Sequence, residues 1–232
     1  MTTIIQTPIW KTSHKIALAA VLAIQFAIAY FIGVDGLLVN STASMIPPIA
    51  LTVFIPVALF LATYALSTRF RSFVLEQDIR TLTMIQLWRV IGFVFLPLYA
   101  FGILPALFAW PAGVGDVTMG LAAVFVVAAI NRNPDFIFSK NYLWFHLFGL
   151  ADFVGALGTS ALASGAFPGL VSNGLTSAAM DIWPLNIFPS FIVPAFIILQ
   201  LTALLKVRHM RQQQSMSSNS AQVDPDDARA VS

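Results

Sequence analysis

Cysteine is absent from this chain, and charged side chains are scarce. The 232 residues include no cysteine, and Asp, Glu, Lys and Arg together make up only 9%. The first absence excludes disulfides, thiolate metal sites, iron–sulfur clusters and a thiol nucleophile. The second separates the chain from soluble domains, in which about 25% of residues are charged. Because 58% of the residues are hydrophobic, we expect an integral membrane protein.

Motifs of the common catalytic and nucleic-acid-binding sites are missing as well. The net charge is +2, but the basic residues flank apolar runs and form no basic stripe, so we exclude nucleic acid as a partner. The chain carries no phosphate-binding loop, nucleophile elbow, HExxH motif or carboxylate cluster able to hold two metals. No cofactor and no metal site is therefore indicated, and the chain has no obvious enzymatic site.

What the chain has instead is a series of long apolar runs. A helix needs about 20 mostly apolar residues to cross a bilayer. We predict an all-α bundle of six transmembrane helices, and we interpret the first run as a retained helix because no small-residue cleavage site follows it. Residues 1–15 form a short polar lead, 16–206 the membrane domain and 207–232 a disordered tail. The predicted spans cover residues 16–34, 46–66, 82–102, 112–130, 141–162 and 184–205.

The basic residues between these runs indicate an orientation. Cytoplasmic loops carry an excess of Lys and Arg, and here ten basic residues fall in alternate loops, on the side shared by both termini. The loops on the other side have none. We therefore predict that both termini are cytoplasmic. The ten residues are Lys11, Lys15, Arg69, Arg71, Arg80, Arg132, Lys140, Lys206, Arg208 and Arg211.

Prolines are expected to break two of the predicted spans. A proline removes a backbone donor and disfavours a straight helix. We expect span three to break near Pro97, the chain to turn from Pro105 to Pro111, and a new helix to start at Ala112. A second broken helix is expected around Pro194 in span six.

Two connecting segments are also assigned. Residues 67–81 are predicted to form a solvated charged loop, with a short amphipathic helix at the interface as the alternative. Residues 163–183 are too polar to span and are predicted to form a loop that is partly re-entrant.

Charged residues within the spans are the strongest functional signal. Such groups are costly in lipid and face the bundle interior, a cavity or a partner. From a rise of about 1.5 Å per residue, Arg89 and Asp152 lie roughly 10 and 15 Å from the same boundary, so we pair them. Asp116, close to the predicted start of span four, is expected near the outer surface. An ion pair that only fixes helix packing and a substrate or proton role are both open.

Three uncharged polar side chains complete the set of candidate residues. His146 lies about 120° around its helix from Asp152 and is expected to be a hydrogen-bonded structural residue. A haem site would need a second histidine within the membrane, which the chain lacks. Gln86 opens the stretch that leads to Arg89, and Gln200 is the polar residue of span six. With Arg89, Asp116 and Asp152, these residues line the candidate pathway.

Several of these residues belong to motifs that resemble a known group of proteins. The segment R-x-x-G-x-x-F from Arg89 is followed by G-x-L-P-x-x-F-A-x-P-A-G-x-G-D-x-x-x-G from Gly102, then by G-L-x-D from Gly149 and F-P-x-F-x-V-P from Phe188. This set resembles a family of uncharacterised bacterial multi-pass integral membrane proteins. The resemblance implies an inner-membrane protein and no particular activity. Members often carry histidine where this chain has Gln200, which argues against a metal or haem ligand there.

Three functional hypotheses follow in order. The first is a small-solute or proton-coupled carrier whose pathway passes Asp116, Asp152 and Arg89. The second is a non-catalytic membrane subunit or sensor, in which His146 and aromatic side chains contact a partner, quinone or pigment. An intramembrane enzyme comes third. The expected partner is the lipid bilayer, and a small-molecule ligand and a homo-oligomer are left open.

Overall fold

A computed structural model describes residues 12–39, 48–167, 170 and 174–227 of the chain. The described residues contain helices and no strand, and six of these helices are long and apolar enough to cross a membrane. The predicted all-α, six-span architecture is therefore confirmed. Most of the polar lead, with Lys11, lies outside the described residues.

Seven helices organise the described chain, and two short 3-10 segments over Pro134–Phe138 and Ser177–Asp181 connect some of them. Helix α4 changes from α-helical to 3-10 geometry over Gln86–Val94 and back at Phe95, and a π-helical turn over Phe188–Ile192 leads into α7. The helices are α1 Thr12–Val34, α2 Ile49–Leu66, α3 Thr68–Leu75, α4 Ile79–Ala100, α5 Ala106–Arg132, α6 Lys140–Leu162 and α7 Val193–Asp227.

The turn after the third span lies earlier than predicted. Pro97 lies inside α4, two residues beyond the change from 3-10 to α-helical geometry at Phe95, and the helix continues to Ala100. The chain turns instead at Gly102, whose φ of +67° suits glycine. Pro105 then caps α5, which begins at Ala106 rather than Ala112, and Pro111 is carried inside the helix.

Two further segments differ from their predictions. Residues 67–81 were predicted to form a loop, with a short helix as the alternative, and they contain helix α3. The Ser67 hydroxyl caps the first turn of α3 by accepting from Phe70 N at 3.2 Å. The sixth candidate span runs over Phe188–Ser217, and its geometry changes from π-helical to α-helical at Val193, next to Pro194, where an irregular helix was predicted. Helix α7 extends to Asp227, so most of the tail assigned as disordered is helical.

Buried apolar side chains form one cluster at each end of the bundle. The first cluster joins the end of α4, the start of α5 and Phe188, and includes Phe95 and Phe108. The second joins the start of α4, the end of α5 and the start of α6, and includes Ile79 and Tyr142. Since consecutive spans run in opposite directions, the middle turns of α4, α5, α6 and α7 lie between these clusters. The polar candidates occupy those middle turns.

Candidate functional site

The structure brings all six predicted site residues into one buried region between α4, α5, α6 and α7. Four of them are sealed from solvent: Arg89 is 1% exposed, and Gln86, His146 and Gln200 are 0% exposed. The side chains of Asp116 and Asp152 keep 15% and 17% of their surface accessible. We call the Arg89, Asp116 and Asp152 side chains the charged triad.

Arg89 is the hub of the charged triad. Its Nε donates to Asp116 Oδ1 at 2.9 Å, its Nη2 pairs with Asp152 Oδ2, and its Nη1 donates to the Gly149 carbonyl at 3.2 Å. The flat guanidinium also lies over the Phe153 ring, 3.9 Å from the ring centre. Every nitrogen of the guanidinium therefore has a partner, and an aromatic ring closes one face of it.

The predicted Arg89–Asp152 pair is present, but the placement of Asp116 near the outer surface is wrong. Because α5 starts at Ala106, Asp116 lies roughly ten residues, or about 15 Å, along this helix. That depth brings Asp116 level with Arg89. The prediction placed the start of this helix after Pro111. Because Pro111 instead lies inside α5, the helix starts earlier and Asp116 lies deeper than predicted.

With both carboxylates ionised, the charged triad has one positive and two negative charges. A buried ion pair is tolerated when its geometry is good and its remaining polar atoms are paired. Here one guanidinium compensates only one of two carboxylates. The second carboxylate can be compensated by a proton or by a small cation.

Glycines create the space in which the two carboxylates sit. A Cβ added at Gly92 would collide with the Asp116 carboxylate, and one added at Gly115 would collide with Asp152 Oδ1. Gly149 similarly makes room for Gln200 and the guanidinium. The glycines of the R-x-x-G, G-x-G-D and G-L-x-D motifs thus allow close approach of helices around the charged triad.

The two glutamines extend the polar region from Arg89 towards His146. With the Gln200 amide turned to satisfy its neighbours, its oxygen accepts from Arg89 Nη1 at 3.0 Å and its nitrogen donates to the His146 carbonyl at 2.7 Å. Gln86 lies beside Gln200 and is completely buried. Gln200 therefore ties α7 to α4 and α6 by hydrogen bonds, without a histidine at this position.

His146 differs from its prediction as a hydrogen-bonded residue. Neither of its ring nitrogens has a hydrogen-bond partner among the described residues. Its ring instead lies between the Tyr142 and Phe145 rings, with centroid distances of 4.7 and 5.0 Å. The aromatic neighbours occupy the space that a polar partner would need. Within the described part of the chain, His146 is a polar group held in an apolar pocket.

A buried hydroxyl pair near His146 was missed by sequence reasoning. Tyr142 and Thr83 lie 3.3 Å apart through their hydroxyl oxygens, and both are buried. Tyr142 precedes His146 by one helical turn, a spacing that could have revealed it. No comparable signal marks Thr83, because an isolated threonine is common in spans.

A small cavity adjoins the charged triad on the side of the first apolar cluster. Its volume is about 50 Å³, and its lining includes Asp116, Ser160, Met180 and Phe188. A space of this size holds one or a few waters. Phe188 belongs to the π-helical turn, an element frequently found at functional sites. Asp116 is thus the member of the triad that borders a cavity.

A family model described as a domain of unknown function, DUF8737, matches residues 46–208, which is more than half of the chain. The chain belongs to the DUF8737 family. The DUF8737 match includes all six site residues and helices α2 to α6, and it leaves α1 outside. No curated protein and no solved structure matches the chain.

Metal-ligating side chains are sparse within the DUF8737 region. Among the described residues, no group of three His, Cys, Asp or Glu side chains is arranged to hold a metal ion. The completely buried His146 offers no surface to a quinone or pigment in this conformation. What the geometry of the charged triad supports is charge compensation at the two carboxylates.

Proposed function

We propose that this protein is a small-solute or proton-coupled carrier of the bacterial inner membrane, with both termini in the cytoplasm. The observation that carries the proposal is the charged triad, in which two carboxylates from different helices share one buried guanidinium. Intramembrane ionisable residues commonly mark ion and proton pathways. The distribution of basic residues in alternate loops supports the orientation.

The triad provides a physical means of coupling. Asp116 is on α5, Asp152 is on α6, and Arg89 is on α4. A proton on either carboxylate removes one charge-assisted contact with Arg89 and leaves the other. The relative stability of two helix arrangements would then depend on which carboxylate is protonated. A carrier needs this kind of bistable element to expose its site alternately to the two sides.

The cavity next to Asp116 limits the size of the species that can pass in the present conformation. At about 50 Å³, it accommodates water and a proton but no organic solute. Any organic solute would require a second, more open conformation. The proton step is therefore the part of the proposal that can be tested before a solute is known.

Proton binding is tested on the purified full-length chain by infrared spectroscopy. The band of a protonated carboxyl group should appear reversibly as pH is lowered across the physiological range. Asp116→Asn or Asp152→Asn should remove it, whereas Asp35→Asn, an exposed carboxylate at the end of α1, should not. Loss of the band only in the Asp35 variant, or an identical spectrum in all variants, would overturn the proposal.

Proton movement is tested in vesicles that contain the protein and a trapped pH indicator. Under an imposed membrane potential, acidification by the unaltered protein should exceed that of empty vesicles, and Asp152→Asn should lower it at least tenfold. A coupled carrier that lacks its solute would show the infrared band without this flux. Absence of both signals contradicts proton coupling.

A further inference from the structure

A second cavity lies at the opposite end of the bundle from the cavity at Asp116. It has a volume of about 210 Å³ and lies between the first turn of α6, the 3-10 segment Pro134–Phe138 and the part of α7 beyond Gln200. We call it the α6–α7 pocket. Its lining includes Ile137, Leu143, Leu204, Val207, Arg208 and Arg211.

The lining divides into an apolar part and a basic part. Leu143 is exposed, Leu204 is half-buried, and Val207 is buried and lies on the inner side of the pocket. Arg208 and Arg211 follow Val207 along α7, and both are exposed. No acidic residue lines the pocket. The pocket therefore joins an apolar surface to two guanidinium groups.

The two guanidinium groups are available for an anion. Within the described part of the chain, neither Arg208 nor Arg211 forms a salt bridge. Arg211 Nη2 donates to the Phe138 carbonyl at 2.6 Å, which holds that side chain beside the pocket. Its remaining N–H groups, and those of Arg208, can donate to phosphate oxygens, for which arginine is well suited.

The position along the helices matches the boundary of a bilayer. Leu143 is about 5 Å beyond the start of α6 at Lys140. Arg132 and Lys140 lie at the same end of the bundle, as expected for the side on which basic residues gather. A basic pocket between transmembrane helices on this side is typical of sites for anionic headgroups.

We infer that the α6–α7 pocket binds an anionic phospholipid, with the phosphate at Arg208 and Arg211 and the start of an acyl chain against Leu143 and Leu204. A zwitterionic lipid is disfavoured because its own cation would approach two uncompensated guanidinium groups. A free phosphate would leave the apolar wall unused. The inference does not depend on the carrier function, since the pocket shares no residue with the charged triad.

The test is a lipid titration of the delipidated full-length chain, followed by native mass spectrometry. The probes are phosphatidylglycerol, phosphatidylcholine and the soluble headgroup analogue glycerol phosphate. Phosphatidylglycerol should bind at least tenfold more tightly than phosphatidylcholine. Arg208→Gln and Arg211→Gln should each weaken its binding roughly fivefold, and the double variant roughly 25-fold.

Two further variants separate a built site from general surface charge. Arg69→Gln removes an exposed cation from the predicted basic side but outside the pocket, and it should change affinity less than twofold. Leu143→Trp should weaken phosphatidylglycerol binding although every charge is retained, because the larger indole would occupy the space next to Leu204 that the acyl chain needs. All four substituted residues are exposed, so the variants should fold, which size-exclusion chromatography checks.

Three results would overturn the inference. Equal losses for Arg69→Gln and Arg208→Gln would show attraction to surface charge alone. Competition by glycerol phosphate at the affinity of the intact lipid would show a site for a free anion. Equal binding of phosphatidylglycerol and phosphatidylcholine would show that the arginines do not select the headgroup.

Discussion

Helix α1 and the bundle of α4 to α7 represent two ways in which apolar helices are held together. Helix α1 exposes most of its surface, and its described polar contacts reach residues 183–190. Gln25 Nε2 donates to Ser190 O at 3.4 Å, Asn186 Nδ2 donates to Ala29 O at 2.6 Å, and Trp183 N donates to Gly33 O at 3.1 Å. The bundle instead buries Arg89, holds its two carboxylate partners half-buried and brings them close to glycines of the neighbouring helices. In a membrane, where apolar burial drives association weakly, polar contacts and close backbone approach specify the bundle.

Removal of the hub of the charged triad should have the largest effect on the bundle. Arg89→Gln leaves two half-buried carboxylates without their cation, and breaking an ion pair with a buried partner in this way costs up to about 3–5 kcal/mol. We expect a strong loss of thermal stability in detergent, measured by the fraction of monodisperse protein after heating. Arg69→Gln, at an exposed site, is the matched control. If the two variants were equally stable, the triad would not organise the bundle.

Glycine positions should show the next largest contrast. Gly115→Ala places a Cβ against the Asp152 carboxylate, and overpacking of this kind costs about 1–3 kcal/mol. Gly155→Ala meets no atom within 4 Å and should be neutral or stabilising by up to about 1 kcal/mol, because alanine favours helix more than glycine does. Both variants are compared by thermal unfolding in the same detergent. Equal effects at the two sites would contradict the close approach of α5 and α6.

Loss of the α1 contact should leave the bundle intact. Asn186→Ala removes the hydrogen bond to Ala29 O, at a cost of about 1 kcal/mol, and should loosen α1 alone. The absence of cysteine allows Phe26→Cys and Phe191→Cys to be introduced where their rings now lie 5.6 Å apart. Cross-linking by a short thiol reagent should fall in the Asn186 variant, while the melting temperature of the bundle stays unchanged. If the cross-linking and the melting temperature fell together, α1 would be part of the bundle.

The six spans and the polar residues within them could be predicted from the sequence. Which of these polar residues lie in contact in the fold could be predicted only in part. Apolar run length is sufficient to identify the six candidate spans, and the rarity of polar residues within them singles out Arg89 and Asp152. The start of α5 at Ala106 depends on whether the surrounding helices tolerate Pro111, which is a tertiary property. The depth of Asp116 depends on that start, so it was misplaced. Whether the His146 ring has a hydrogen-bond partner depends on the aromatic rings packed around it, so this could not be predicted from the sequence either.

The smallest expected effect on stability is that of a substitution at His146. Its size shows whether the His146 ring is without a hydrogen-bond partner or makes a structural hydrogen bond. Since neither ring nitrogen has a partner among the described residues, His146→Phe removes buried polar atoms without breaking a bond. Its stability should lie within about 1 kcal/mol of the unaltered protein, and we expect a gain rather than a loss because unpaired buried polar atoms are removed. Tyr142→Phe, which removes the hydroxyl 3.3 Å from Thr83 Oγ1, should instead cost about 1 kcal/mol. Thermal unfolding of the two variants measures this order directly. A loss above about 2 kcal/mol at His146 would reveal a polar partner for the ring and would bring this residue into the charged triad's network.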